Sequence, residues 1–536
     1  MASIKEIISK PLNRPWLFWL AVFLSIFIPL YPKIPLFDIL PGYIVRVRLE
    51  DFFILAFALI YLVLWILGKV KPFKNPLFWL VAAYLAIGAA SGLAAIFIVK
   101  TIPMETIHIM KWGLHWVRRI EYFFPLFLFY DGFKNKSHFK NLIQVLALVV
   151  LAAAVYGFGQ KYAQWPVYST MNREFAKGWR LVLTEHARVP STFAGHYDLA
   201  AFLVLVLPLT MGAVFYSKSL LGKVSGWTSF ILGYTLLILT ASRTSYLALV
   251  GSIIPLFCFY IYALGWKKTL SKVLIMTVFG TVTFLVFGDL SGRFSQIINL
   301  SKINGYISNN IFHLDQKTPQ RYVNLTDQLA LVADKTDVPP TLVRSEGGGF
   351  QSGTGENGTT ESSVPSDVYN EVPDLSTSTD ANGVVRIISK PRIYSDAALT
   401  YGLSSAIRLD ALWPRAIAGF KKNPLLGSGY STLLKVQLTD FTEAESTDND
   451  YLRALGETGL LGFLAFYGLI IYAGYLLWKS LKDRDFYDGK GALAAVIAGI
   501  LGLLVNAFYI DVFEASKVAL AFWGLVGASL AYGKKD

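Results

Sequence analysis

Long apolar runs recur along this chain between short polar stretches, and no other feature constrains its fold as much. Runs such as those near 77–98, 198–216 and 491–510 approach the roughly 20 residues that cross a bilayer as a helix. In lipid, backbone N–H and C=O groups must be paired internally, which leaves helices or closed barrels. The runs predict an all-α polytopic membrane protein. Of the 536 residues, 54% are hydrophobic and 16% charged, against about 25% charged in soluble domains. With a mean hydropathy of +0.48, an ordinary cytosolic enzyme is excluded. The net charge of +13 would suit nucleic acid, but the Lys and Arg residues lie mostly in short loops between apolar runs. That pattern marks membrane topology and anionic headgroups, so the expected partner is the lipid bilayer and not nucleic acid. Cys258 is the only cysteine, which excludes an intrachain disulfide or a CxxC redox pair.

The apolar runs predict spans near 16–31, 52–68, 77–98, 112–130, 140–158, 198–216, 226–241, 245–265, 273–288, 458–478, 491–510 and 518–532, about twelve in all. Lys5, Lys10 and Arg14 precede the first run, yet no small-residue cleavage site follows it, so it reads as a retained span. Alternate loops carry Lys69/Lys71/Lys74, Lys134/Lys136/Lys140, Lys218/Lys223, Lys267/Lys268/Lys272, Lys479/Lys482/Arg484 and Lys534/Lys535. The opposite short loops hold far fewer basic residues. The rich side is expected to be cytoplasmic, with both termini inside.

Three regions follow. Residues 1–288 hold spans 1–9, with an external loop at 159–197. Residues 289–457 form a large external loop between spans 9 and 10, and 458–536 hold spans 10–12. Within the large loop, 345–385 is rich in Gly, Ser, Thr and acidic residues and is expected to be a flexible insert. Helical spacing returns within 404–457.

Several charged groups sit where a membrane protein tolerates few. Arg118, Arg119 and Glu121 lie inside WGLHWVRRIEYFFPLFLFY, and such charges are expensive in lipid. Arg118 and Glu121, at i and i+3, can form an internal ion pair; alternatively an arginine faces a polar cavity and binds an anion. Arg243 in ILTASRTSYL is either a headgroup-snorkelling turn residue or, with Ser242, Thr244 and Ser245 beside it, an anion-binding group at a helix N-terminus. Arg188 belongs to the 159–197 loop, where His186 and His196 form too sparse a pattern to argue for metal. Arg408 and Arg415, seven apart, are expected on one helix face with Leu412 between them. Asn423-Pro424 followed by Gly427 and Gly429 predicts a turn. In STDNDYLRALGETG, Ser446 or Thr447 can cap a helix. Asp448 and Asp450 read as first-turn acids, as a metal pair if the segment is a loop, or as a carboxylate base at the membrane surface.

Taken together, RVPSTFAGHYDLAAFL, LTASRTSYLALVG, RLDALWPRAIAGFKKNPLLGSGY and DNDYLRALGETGLLGFL resemble motifs of the O-antigen ligase / O-antigen polymerase superfamily, in order over about 190–530. The resemblance implies a GT-C-like membrane glycosyltransferase, independent of metal and without cofactor. Its donor would be an undecaprenyl-diphosphate-linked glycan and its acceptor a sugar hydroxyl on another glycan or glycolipid, met at the external face. By motif position, Arg243 corresponds to the family's Ser-Arg arginine and Arg118 or Arg119 to one in an earlier span. Asp448 stands where ligases carry the histidine proposed as base, which shifts weight toward polymerases. The expected catalytic residues are Asp448 and Arg243; Arg118, Arg119, Arg188, Arg408 and Arg415 are expected to bind substrate. A transporter or flippase of lipid-linked glycans is the alternative class, and a non-catalytic scaffold for envelope assembly a further one.

Overall fold

The computed structural model describes residues 15–40, 46–133, 135–170, 175–184, 187–287, 374–379, 385–390, 407–433, 446–482 and 484–533. Among them the chain is built almost entirely of helices: α1 Pro15–Leu30, α2 Leu49–Ile66, α3 Phe78–Phe97, α4 Thr106–Gly132, α5 Lys136–Tyr162, α6 His196–Tyr216, α7 Leu220–Thr228, α8 Tyr234–Leu239, α9 Arg243–Leu264, α10 Trp266–Val286, α11 Trp413–Lys422, α12 Asp450–Leu481, α13 Gly491–Asn506 and α14 Ser516–Gly533. Strands β1 Pro35–Asp38 and β2 Arg46–Arg48 make a short antiparallel pair before α2.

Eight helices among the described residues are long and apolar enough to cross a membrane: α2, α3, α5, α6, α9, α10, α12 and α13, the last with the π turn before it. This is a multi-pass membrane protein. The other expected spans fall on α1, of 16 residues, on the charge-bearing α4, on α7 and α8, which are split by a π turn at Ser229–Gly233, and on α14.

Helix α6 is the hub. Its apolar window is 100% buried, because α5, α7, α9, α13 and α14 surround it. By contrast α2 turns Leu55, Leu59, Leu62, Val63 and Ile66 outward, as a lipid-facing helix must. The long contact of α4 with α14 brings backbones close at Gly527, where a Cβ would strike the Leu126 carbonyl. Small residues permit such approaches when lipid supplies no hydrophobic drive.

Hydrogen bonds sort the helix ends into two sets. Lys517 Nζ donates to the carbonyls of Pro29, Tyr31 and Thr192 at 3.1, 2.6 and 2.7 Å, and Lys33 pairs with Glu50. The ends of α1, the starts of α2, α6 and α14, and the loop before α6 therefore meet at one end of the bundle. Burial pushes the Lys33 ammonium down, and Glu50 opposes that shift. At the opposite end, Lys272 bonds the Val214 carbonyl, Arg484 the Tyr532 carbonyl and Tyr260 the Gly491 carbonyl. The Lys-rich loops belong to this second end.

Helix α12 spans the expected boundary at 457/458 and breaks at Gly459, where φ is +66°. The turn 424–429 docks into the break. Ser428 and Gly429 N–H donate to the carbonyls of Gly456 and Glu457, while Leu460 and Leu461 N–H donate to those of Pro424 and Leu425. Four backbone groups at the break, the Gly456 and Glu457 carbonyls and the Leu460 and Leu461 amides, are thus paired by the turn. A Cβ on Gly459 would be strained and would strike the Leu425 backbone. Gly459→Ala is expected to destabilise by ~2–4 kcal/mol. Gly474→Ala, in open space on the same helix, serves as control: thermal unfolding in detergent should drop for the first and hold for the second.

A second unit, 291–358 with 368–392, contributes only an antiparallel hairpin among the described residues, β3 Asp374–Thr379 with β4 Val385–Lys390. The expected flexible insert thus holds a strand in its described part; Thr-rich and β-branched residues favour the pairing. The rest of the insert, and most of the 289–457 loop, lies outside the described residues.

Candidate functional site

Five elements converge at the bundle end opposite the Lys-rich loops. Asp448 stands just before α12 with φ +52°, a left-handed position that Asp tolerates better than most side chains. Its Oδ2 lies 3.0 Å from Arg408 Nη2. Arg408 is almost fully buried, stacks on the Tyr509 ring at 4.6 Å and reaches the Tyr509 carbonyl. Asp448 is 29% exposed, so this pair faces out on the carboxylate side.

Arg188 arrives from the loop before α6. Its Nη1 meets His196 Nε2 at 2.7 Å and Tyr197 Oη at 3.1 Å. The Tyr197 phenol lies in the field of Arg188, Arg408 and Asp448 together. Loop and first turn of α6 thus set Arg188 on the Tyr197 hydroxyl, near enough to Arg408 and Asp448 for both to act on it electrostatically.

The Arg243 hairpin touches both flanks of this cluster. Val189 N–H donates to the Leu239 carbonyl, and Ser245 Oγ donates to Asn506 Oδ1 at 3.2 Å. Arg243 is the first residue of α9 and half-buried. The Ser242 and Ser245 hydroxyls are engaged inside the bundle: Ser242 Oγ donates to Ser245 Oγ at 2.8 Å, and α9–α13 packing gives Ser245 its acceptor on Asn506.

Behind the cluster lies a buried charge network. Arg453 Nη1 reaches Asp511 Oδ2 at 2.9 Å, Nε reaches Glu457 Oε2 at 3.4 Å, and Nη2 lies 3.7 Å from Glu514 Oε2. Arg119 Nη2 meets Glu514 Oε1 at 2.5 Å and lies 3.8 Å from Glu457. The cavity here is about 30 Å³, room for a water or two and far too small for a sugar ring. Burial pushes the Glu514 carboxyl up, but Arg119 and Arg453 outweigh it and hold it at about 2. A carboxyl depressed on folding stabilises the fold above its unfolded value, about 4.3. That stabilisation fades as pH falls through the folded value. Wild-type protein is therefore expected to lose thermal stability between about pH 4.3 and 2, and Glu514→Gln to lose less over that window; equal losses would remove the assignment.

The expected site residues divide accordingly. Arg188, Arg408 and Asp448 come together, with the Arg243 hairpin beside them. Arg119 is held by Glu514 and Glu457 inside the bundle, and adjacent arginines on a helix diverge by roughly 100°. Arg118 goes the other way, to Glu121 at 3.6 Å and Asp51 at 3.9 Å. Arg408 and Arg415 do not share a face: a π turn at Arg408–Leu412 adds a residue, and the buried stripe runs Arg408, Leu412, Ala416, Gly419, with Arg415 half-buried beside it. The helix cap is Asn449, whose side chain accepts from Leu452 N–H at 2.9 Å, rather than Ser446 or Thr447. Asp448 and Asp450 point apart, to Arg408 and to the Phe513 N–H. Tyr451, half-buried, packs on Tyr467 and Phe508. His186 lies outside the described residues.

Sequence reasoning missed Tyr197, Arg453, Asp511 and Glu514. Arg453 and Glu457, at i and i+4 in an otherwise apolar helix, carried a readable signal. Asp511 and Glu514 sit in a short polar loop that reads only as a connection.

Residues 400–467 match a family model described as O-antigen ligase. The match covers Arg408, the docking turn, Asp448 and the Gly459 break, and it supports the O-antigen ligase superfamily suggested by the sequence motifs. It also supports a membrane glycan-processing function of the ligase or polymerase kind, with a lipid-linked glycan and an acceptor as general partners. No curated protein matches the chain.

Proposed function

From a chain with an O-antigen ligase segment, we propose a membrane glycosyltransferase that moves a glycan from an undecaprenyl-diphosphate carrier to an acceptor sugar hydroxyl. The observation that carries this reading is the Arg408–Asp448 pair beside Arg188 and Tyr197, at the end of the bundle opposite the Lys-rich loops. With about twelve spans and both termini cytoplasmic, that end is the external face of the cytoplasmic membrane.

In the reaction the acceptor oxygen attacks the anomeric carbon, the bond from that carbon to the diphosphate oxygen breaks, and the acceptor proton passes to Asp448. The carrier leaves as undecaprenyl diphosphate. Its charge grows as the bond breaks, and fixed guanidinium groups there stabilise the transition state more than the ground state. Arg408 and Arg188 supply two such groups, and Arg243 a third from the adjoining hairpin. Tyr197 holds Arg188 in place and can bond a phosphate oxygen. No step needs a metal ion.

Arg408 serves both Asp448 and the incoming diphosphate. The two anions compete, so donor binding draws Arg408 away and leaves the carboxylate ready to accept a proton.

Vesicles containing the purified protein and lipid-linked glycan extracted from source cells lacking it test this reading. Released undecaprenyl diphosphate with elongated or transferred glycan is expected. Movement of intact lipid-linked glycan across the bilayer without release would assign a flippase instead. Arg243→Lys is expected to slow release by about 10–100-fold, since a single ammonium cannot replace a bidentate, charge-assisted contact. Wild-type transfer by Arg243→Ala would remove that arginine from the site.

A further inference from the structure

We propose that Asp511 is a positioning residue that aims Asp448 into the reaction, a role that rests on reading Asp448 as the base. Asp511 lies between α13 and α14, outside the 400–467 segment. Its carboxylate is buried and grips the residues on both sides of Asp448. Oδ2 accepts from the Thr447 N–H at 2.8 Å, and Oδ1 accepts from the Asn449 N–H at 2.8 Å. Ser446 Oγ is shared, 2.9 Å from Asp511 Oδ2 and 2.5 Å from Asp448 Oδ1. Arg453 Nη1 holds the same Asp511 oxygen at 2.9 Å.

This arrangement is more than loop packing. A non-glycine residue in the left-handed region persists only where its surroundings over-determine it. Here one carboxylate fixes both flanking amides, and the Asp448 side chain is left to swing out to Arg408. Two reciprocal bonds fasten the rest of the turn to the same loop: Asp450 N–H donates to the Ala507 carbonyl, and Phe513 N–H donates to Asp450 Oδ2. Asn449 starts α12 immediately afterwards. The direction of Asp448 is therefore set jointly by Ser446 in its own segment and by the loop preceding α14, about sixty residues downstream, which holds Ser446 and both flanking amides.

An asparagine in place of Asp511 keeps the shape but not the function. Its Oδ1 can still accept from one side, whereas its NH₂ faces donors and repels them. At least one flanking amide is released, and Asp448 drifts from its place. Misplacement on the order of 1 Å costs about 10²-fold in rate.

The test uses the full-length protein in vesicles with lipid-linked glycan extracted from source cells. Asp511→Asn is expected to lower kcat by about 10²-fold, with the KM for the extracted donor unchanged or lower, because Arg408 is left freer to bind it. On an Asp448→Asn background the same substitution is expected to change the rate by less than about threefold, since the group it aims is already gone. Ser446→Ala, a lighter change that serves if Asp511→Asn does not accumulate, is expected to lower kcat by about tenfold with the same dependence on Asp448. Asp511→Glu, which retains the charge, is expected to recover part of the rate. The proposal is overturned if Asp511→Asn or Ser446→Ala transfers at the wild-type rate. It is equally overturned if the variant slows the Asp448→Asn protein by the same factor as the wild type, the signature of a purely structural residue. Wild-type transfer by Asp448→Asn alone is a separate result that removes the base assignment itself.

Discussion

Asp448→Asn is expected to slow glycan transfer by about 10²–10⁴-fold, the range over which a positioned general base contributes, while the protein binds diphosphate more tightly. The second half of this expectation separates a competing base from a residue that merely holds the fold. In the resting protein Arg408 is engaged by Asp448 at 3.0 Å. Neutralising the carboxylate frees the guanidinium, and a partly exposed pair of this kind is worth about 1 kcal/mol, which is a gain of about fivefold in affinity. Farnesyl diphosphate in detergent is a suitable probe, since it carries the diphosphate without the glycan. Weaker binding alongside lost transfer would mean that Asp448 supports the site structurally. Asp448→His places an imidazole base at this position. It is expected to recover part of the activity, with a rate that rises with pH around the usual histidine value of about 6.5.

The largest stability effect is expected at Arg453. Its guanidinium is the common partner of Asp511, Glu457 and Glu514. Arg453→Met leaves those carboxylates facing one another with only Arg119 to balance them. Removing one member of a buried ion pair costs about 3–5 kcal/mol, mostly through the charge left behind. The measurement is the half-life of the folded protein in detergent at elevated temperature, because membrane proteins of this size seldom unfold reversibly. Arg453→Met combined with Glu457→Gln should lose less than Arg453→Met alone, since one orphaned charge has been removed. If the double variant loses as much or more, the network does not act as a balanced set.

Sequence and structure divide the account between them at identifiable residues. The turn at Asn423–Gly429 was legible, because Pro and two Gly residues have few other uses in such a stretch. So was the Arg118–Glu121 pair, which needs only helical spacing. The shared face of Arg408 and Arg415 was misread, because a π turn changes the period and leaves no mark in composition. The helix begins after Asn449, its cap, rather than at Ser446 or Thr447, which lie in the preceding turn bonded to Asp511.

The alternation of apolar runs and Lys-rich loops determined by itself that this chain is a bundle of membrane helices with a polar end and a basic end, since lipid admits little else for such a pattern. The four short motifs contain Asp448, Arg243, Arg188 and Arg408 and so made them candidates. Only the tertiary structure decided that Arg118 and Arg119 are spent on carboxylates, and that Asp511 holds the amides on both sides of Asp448. Ion pairs and hydrogen bonds join residues hundreds of positions apart, and which charge meets which is set by helix packing that local spacing does not encode.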